Sequence, residues 1–203
     1  MPTQAMPATT VESAIRQALV RHRKRSIDDS SMARAGVLVL VYPKDGMPHM
    51  LFNKRSEHVE KHKGEIAFPG GGWESGDATI LDTALRETWE EMSIDPADVT
   101  VLGELDDIIT ISDFVVTPYV GAIPGGYDFK PNIEVAEVVE VPLEAILNGR
   151  NLRDDTRLVN GRVERRATYA HNGHLIWGAT GMMLEGFVRI LKTIDDGEDL
   201  WKT

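Results

Sequence analysis

Glu87, Glu90 and Glu91 place three carboxylates within the short stretch "ALRETWEEM", residues 84–92. On a helix, at about 100° per residue, these positions fall within about 100° of arc, so the three acids share one face. Like charges that close destabilise the helix and raise at least one pKa unless something positive sits between them. Arg86 stands four residues before Glu90 and can pair with it, yet one arginine cannot neutralise three glutamates. A hard divalent cation can. With no cysteine in the chain and no histidine on that face, an oxygen-only ligand set suits magnesium or manganese better than zinc. A solvated acidic face without chemistry is the alternative for a helix standing alone. This helix does not stand alone, because Pro69-Gly70-Gly71-Gly72 precedes it. Glycines leave backbone groups open and let a phosphate or metal come close. A hard metal beside such a loop can polarise a phosphorus centre and activate water.

The elements that must position these groups are legible from periodicity. "AGVLVLVYP" (35–43) reads as a buried strand, "KDGMP" as a turn and "HMLFNKR" as the returning strand. A polar loop, "SEHVEKHKGE", leads into the glycines, and the acidic helix is expected from about Ala78 to Met92, closed off by Pro96. Strands follow in "VTVLGELDD", "DFVVTPYVGAIP" and "VAEVVEVPL", then a hairpin turning at Asn172-Gly173. Two amphipathic helices flank this block. The first carries Val11, Ile15, Ala18, Leu19 and His22 on one side, behind a weak Thr10-x-x-Ser13 cap, and spans about 10–25; the last carries Met183, Phe187, Ile190 and Leu191. The order predicts an α+β fold, with mixed sheet between helices.

Composition narrows the function. At 203 residues and 42% hydrophobic, the chain can bury a full core, and 1–203 reads as one domain. A formal charge of −10 argues against a broad nucleic-acid footprint. The basic stretch "RHRKR" ending the first helix is read as complementing the helix C-terminus rather than as a nucleic-acid or membrane patch. The absence of cysteine excludes disulfides, thiolate catalysis and Cys-based zinc sites. "MPTQAMPATT" lacks the pattern of a signal peptide, and no apolar run approaches the ~20 residues of a membrane span, so a cytoplasmic location is expected.

Pro69-Gly70-Gly71 through Arg86-Glu87-x-x-Glu90-Glu91 resembles the signature box of the Nudix hydrolases. The resemblance implies an α/β/α sandwich around a central mixed sheet, helix glutamates that bind Mg²⁺ or Mn²⁺, an arginine that orients one of them, and water delivered to a diphosphate. "RSEHVEKHKGEIAFPGG", "DTALRETWEE", "SDFVVTPYV" and "IWGATGMML" further resemble the subgroup that cleaves coenzyme A and its thioesters, across about residues 33–191. There are departures. Ala78 stands where the general box has glutamate, with Asp77 or Glu74 as replacements, and the Pro69–Arg86 spacing is one residue longer. Thr88 replaces an aliphatic residue, Ser93 a glycine, and Glu60 a basic residue of the subgroup motif, where Lys61 and Lys63 could compensate.

The resemblance therefore implies that Glu87, Glu90, Glu91 and the Gly70 carbonyl hold the metal while Arg86 fixes Glu90. Glu91, acting through a bound water, is the first candidate for the general base, with Glu134, Glu137 and Glu140 behind it. Arg55 and Lys54, ending a strand near the loop, are candidate phosphate ligands. His62, and equally His58, match subgroup positions. Phe68, Gly71 and Gly72 complete the candidate substrate surface, although Phe68 and Trp177 also suit a core and Met182-Met183 also suit packing. The expected partner is a small nucleotide diphosphate, not nucleic acid or membrane, with a homodimer left open. ADP-ribose or a nucleotide sugar is the alternative substrate class, and a non-catalytic nucleotide-binding module the third reading.

Overall fold

The computed structural model describes residues 8–159 and 162–194. Its elements run α1 (Ala8–Arg21), β1 (Ala33–Lys44), β2 (Met47–Arg55), β3 (Ile66–Ala67), β4 (Gly70–Gly72), α2 (Ile80–Met92), a 3-10 turn (Pro96–Asp98), β5 (Thr100–Glu104), β6 (Ile108–Ile109), β7 (Phe114–Ala122), β8 (Val135–Pro142), α3 (Leu143–Leu147), β9 (Leu152–Val159), β10 (Arg162–His171), β11 (His174–Ile176) and α4 (Gly178–Leu191).

β1 forms the centre. It pairs parallel with β7 along its length and antiparallel with β2 and β4 on its other edge, so the main sheet is mixed, as expected from the order of elements. The continuous apolar run 35–42 is buried because both faces of β1 are covered. Ala35, Val37, Val39 and Val41 face one core with α1 and α4, while Leu38, Leu40 and Tyr42 face a second core under α2. The result is an α/β/α sandwich. β9, β10 and β11 form a separate antiparallel sheet.

Both expected turns are present. Asp45-Gly46 and Asn172-Gly173 all have positive φ, the geometry a two-residue hairpin demands. In α1, Val11, Ile15, Ala18 and Leu19 are buried, while Thr10 lies inside the helix rather than at its start. The basic end of α1 is consumed by the 104–107 segment. His22 and Arg25 bind Asp106, and Lys24 pairs with Glu104 and Asp107. Those cations therefore answer acidic side chains.

α2 begins at Ile80, two residues later than the expected Ala78, because Thr79 caps it by accepting the Asp82 amide. At its other end Ser93 is left-handed (φ 56, ψ 35), the conformation that favours the glycine it replaces. The amides of Lys130 and Asn132 satisfy the Met92 and Glu91 carbonyls. β3, β4, β6, β9 and α3 carry no sequence pattern of their own; the two- and three-residue strands exist only because neighbours pair with them.

Candidate active site

β4 and α2 bring the two halves of the motif together against β1. Gly36 on β1 lets α2 approach: a Cβ there would stand 2.3 Å from the Ile80 carbonyl oxygen. Gly70, at φ +143, would place a Cβ 2.3 Å from the Gly36 carbonyl oxygen, so no other residue fits that backbone. Gly71 lies directly over Glu87, where a Cβ would meet the carboxylate carbon at 2.5 Å.

Arg86 organises the acids differently from the expectation. Its Nε and one terminal nitrogen donate to Asp77 at 2.9 and 3.0 Å, another donates to Glu87 at 3.0 Å, and the Gly72 carbonyl accepts at 3.2 Å. Glu90 receives only a longer 3.6 Å ion-pair contact. Local helical spacing points to Glu90, but Asp77, just before the helix, offers a buried bidentate partner. Asp77 also accepts from the Thr83 hydroxyl and the Glu74 amide. The hydrogen bond from Arg86 holds the Asp77 carboxyl well below the usual range.

Glu91 is 4% exposed, beneath the glycine strand. Its Oε2 accepts from Asn53 Nδ2 at 2.9 Å and from the Gly70 amide at 3.1 Å. Burial pushes its pKa up to about 8, against the lowering hydrogen bond from Gly70, while Arg55 lowers it and Glu87 and Glu134 raise it. Burial also raises Glu87, opposed by Arg86 and reinforced by Glu90 and Glu74. Glu90 is half exposed. This mutual repulsion between carboxylates, with oxygen donors only, fits a hard cation. Among the described residues no set of three acid or histidine side chains is already drawn into a coordinating arrangement; Arg86 and Asn53 each hold one member instead.

The other candidates divide. Arg55 lies at the base of the 56–65 loop, its Nε donating to the Lys61 carbonyl at 3.4 Å, and it acts electrostatically on Glu91. Lys54 pairs with Glu137 at 3.6 Å, and Glu137 also meets His174 at 3.2 Å. Glu140 is bound by Tyr42 and Lys44, while Glu134, in the turn just before β8 rather than on it, is felt by Glu91. His62 pairs with Glu65 at 3.2 Å, and His58 lies beside the Ser56 hydroxyl. Phe68, expected on the substrate surface, lies in the core instead. It is 2% exposed and stacked on Phe52 at 4.7 Å, because the segment between β3 and β4 turns that side chain into the α4 core. Asn53 is the site residue that the sequence did not single out; it directly follows the apolar Met50-Leu51-Phe52 of "HMLFNKR" and reads there as the first residue of the strand's polar end.

The family model of the NUDIX domain matches residues 32–159 of this chain. The chain belongs to the Nudix hydrolase family. Among its relatives, the Nudix hydrolase NudL of Photorhabdus laumondii is 37% identical over 164 residues, covering 79% of this chain and 85% of that protein. NudL of Yersinia enterocolitica is 39% identical over 140 residues, covering 68% and 71%. The MutT/nudix family protein from Enterococcus faecalis shares the fold, with a TM-score of 0.54 at 13% identity, covering 96% of this chain and 78% of that one. Nudix hydrolases act on nucleotide diphosphate substrates and generally use divalent metal cations. Among the described residues no helix is long and apolar enough to cross a membrane.

Proposed function

We propose that this Nudix hydrolase cleaves the diphosphate of coenzyme A or its thioesters, releasing 3′,5′-ADP and (acyl-)4′-phosphopantetheine. Water adds to one phosphorus, the bridging P–O bond breaks, and the leaving phosphate takes the bond's electrons. The chemistry is supported by one observation above all: Glu91 is buried beneath Gly70–Gly72 and fixed by two N–H donors on one oxygen.

Glu87, Glu90 and Glu91, with the Gly70 carbonyl, would hold Mg²⁺ or Mn²⁺, which when bound neutralises phosphate charge and lowers the pKa of water. Arg86 holds Glu87 in place and braces the site against Asp77 and the Gly72 carbonyl. Glu91, with one oxygen anchored, is our reading for the group that takes the proton from the attacking water. Gly71 and Gly72 leave the approach open, and Arg55 and Lys54 supply positive charge toward the phosphates.

Coenzyme A is favoured because the segments resembling that subgroup converge. Ile66 and Phe68 from the first share a core with Ile176, Met183 and Leu184 from the last, and His174 reaches the Glu137 that pairs with Lys54. Exposed Glu60, in place of a basic residue, favours the second reading, ADP-ribose or a nucleotide sugar. We read the whole chain as one catalytic unit acting in the cytoplasm.

The test is product analysis with Mg²⁺ or Mn²⁺ against coenzyme A, acetyl-coenzyme A, ADP-ribose and a diadenosine polyphosphate, with Glu90→Gln as control. Release of 3′,5′-ADP by the wild type alone supports the proposal. Cleavage of ADP-ribose without coenzyme A keeps the mechanism and overturns the substrate.

A further inference from the structure

We infer that Asn53 is the positioning residue of Glu91, holding that carboxylate in its working direction; the inference rests on the reading of Glu91 as part of the hydrolytic site. Asn53 lies near the C-terminal end of β2, in register with Ala67 of β3 on one edge and Val138 of β8 on the other, so its backbone is clamped from both sides. Side chains alternate along a strand. Phe52 enters the α4 core, and Asn53 points the opposite way, toward α2.

Its side chain is 1% exposed. Nδ2 donates to Glu91 Oε2 at 2.9 Å, and the Gly70 amide donates to the same oxygen at 3.1 Å. Two donors on one oxygen fix the plane and direction of the carboxylate, and among the described residues none of these bonds falls on Oε1. Oε1 is thus the oxygen left for a cation or for water.

Packing does not explain an amide here. Leu51, two residues earlier and facing the same way, is fully buried in the α2 core. At position 53 an apolar side chain would match that environment, whereas the asparagine leaves Oδ1 buried with no hydrogen-bond partner among the described residues. An unsatisfied buried acceptor costs stability. The bond to Glu91 is what the amide supplies in return, and it ties the helix carboxylate to a strand that also carries Lys54 and Arg55.

The experiment compares wild type, Asn53→Leu, Glu91→Gln and the double variant by Mg²⁺ titration of thermal stability, alongside kcat and KM on the substrate the wild type cleaves. Removing an outer-shell partner of a metal ligand typically weakens metal affinity or activity by about 10–100-fold. The expected result for Asn53→Leu is a Mg²⁺ midpoint raised and a kcat lowered in that range, with KM within about twofold, and an added effect below about twofold in the Glu91→Gln background. A residue that only maintains the fold would lower the melting temperature equally in both backgrounds and leave the Mg²⁺ midpoint in place, which would overturn the inference. Asn53→Ser provides the same comparison if the leucine variant does not fold. A wild type that binds neither Mg²⁺ nor Mn²⁺ would overturn the reading of Glu91 and this inference together. A Mg²⁺ response in the wild type, retained unchanged in Asn53→Leu, would overturn the inference alone.

Discussion

Arg86 sets its guanidinium on Asp77, nine residues earlier in the chain, through two hydrogen bonds of 2.9 and 3.0 Å. The same side chain reaches Glu87 and the Gly72 carbonyl, so one cation ties the helix, the turn before it and the glycine strand. Lysine cannot reproduce that planar fork. Arg86→Lys is expected to lower kcat by roughly 10–100-fold, in the range of other outer-shell losses, and Asp77→Asn to fall in the same direction. Steady-state kinetics on both variants, with circular dichroism to confirm folding, checks this.

The three glycines of β4 are not equivalent. Gly70→Ala meets backbone at a positive φ and is expected to cost roughly 1–3 kcal/mol of stability. Gly71→Ala drives a methyl into Glu87 and should abolish most activity while the protein still folds. Gly72→Ala meets only Phe114, at an ordinary 3.6 Å, and should leave the melting temperature unchanged. Thermal melts and turnover of the three alanine variants separate these outcomes.

Phe68→Ala removes a ring stacked on Phe52 in the α4 core. A loss of about 3–5 kcal/mol is expected, as for other buried aromatic truncations. KM should stay unchanged in the fraction that remains folded, because the ring is buried against Phe52 in the α4 core. A raised KM with little loss of stability would restore it to the binding surface.

Asp106 gives the clearest pH signature. Burial alone would raise its carboxyl, but hydrogen bonds from the Arg25 backbone and side chain and from His22 outweigh it and bring the pKa from 3.8 down to about 2. A carboxylate depressed in the folded state stabilises above its unfolded pKa, and that stability is lost as pH falls through the folded value. Melting temperature should therefore drop between about pH 4 and pH 2, and Asp106→Asn should flatten that part of the profile while lowering stability at neutral pH. The release should be local, with the α1 end becoming more sensitive to protease.

Much of the scaffold was legible because it obeys local rules. The apolar run 35–42 forms β1, Asp45-Gly46 and Asn172-Gly173 turn as their φ preferences require, and the apolar sides of α1 and α4 are buried where 3.6-residue spacing put them. The acidic face of α2, and its suitability for a hard cation, also follow from spacing alone. Tertiary structure decided the partners. Spacing of four residues matches Arg86 to Glu90, but the turn before α2 folds back and presents Asp77 closer and in a better orientation. Asn53 lies on a strand whose two faces meet different layers, and the register of β2 turned it toward Glu91, while the segment between β3 and β4 carried Phe68 into the core. Periodicity specifies which side chains share a face of one element. Which face meets which carboxylate depends on contacts far apart in sequence, and those exist only once the sheet has assembled.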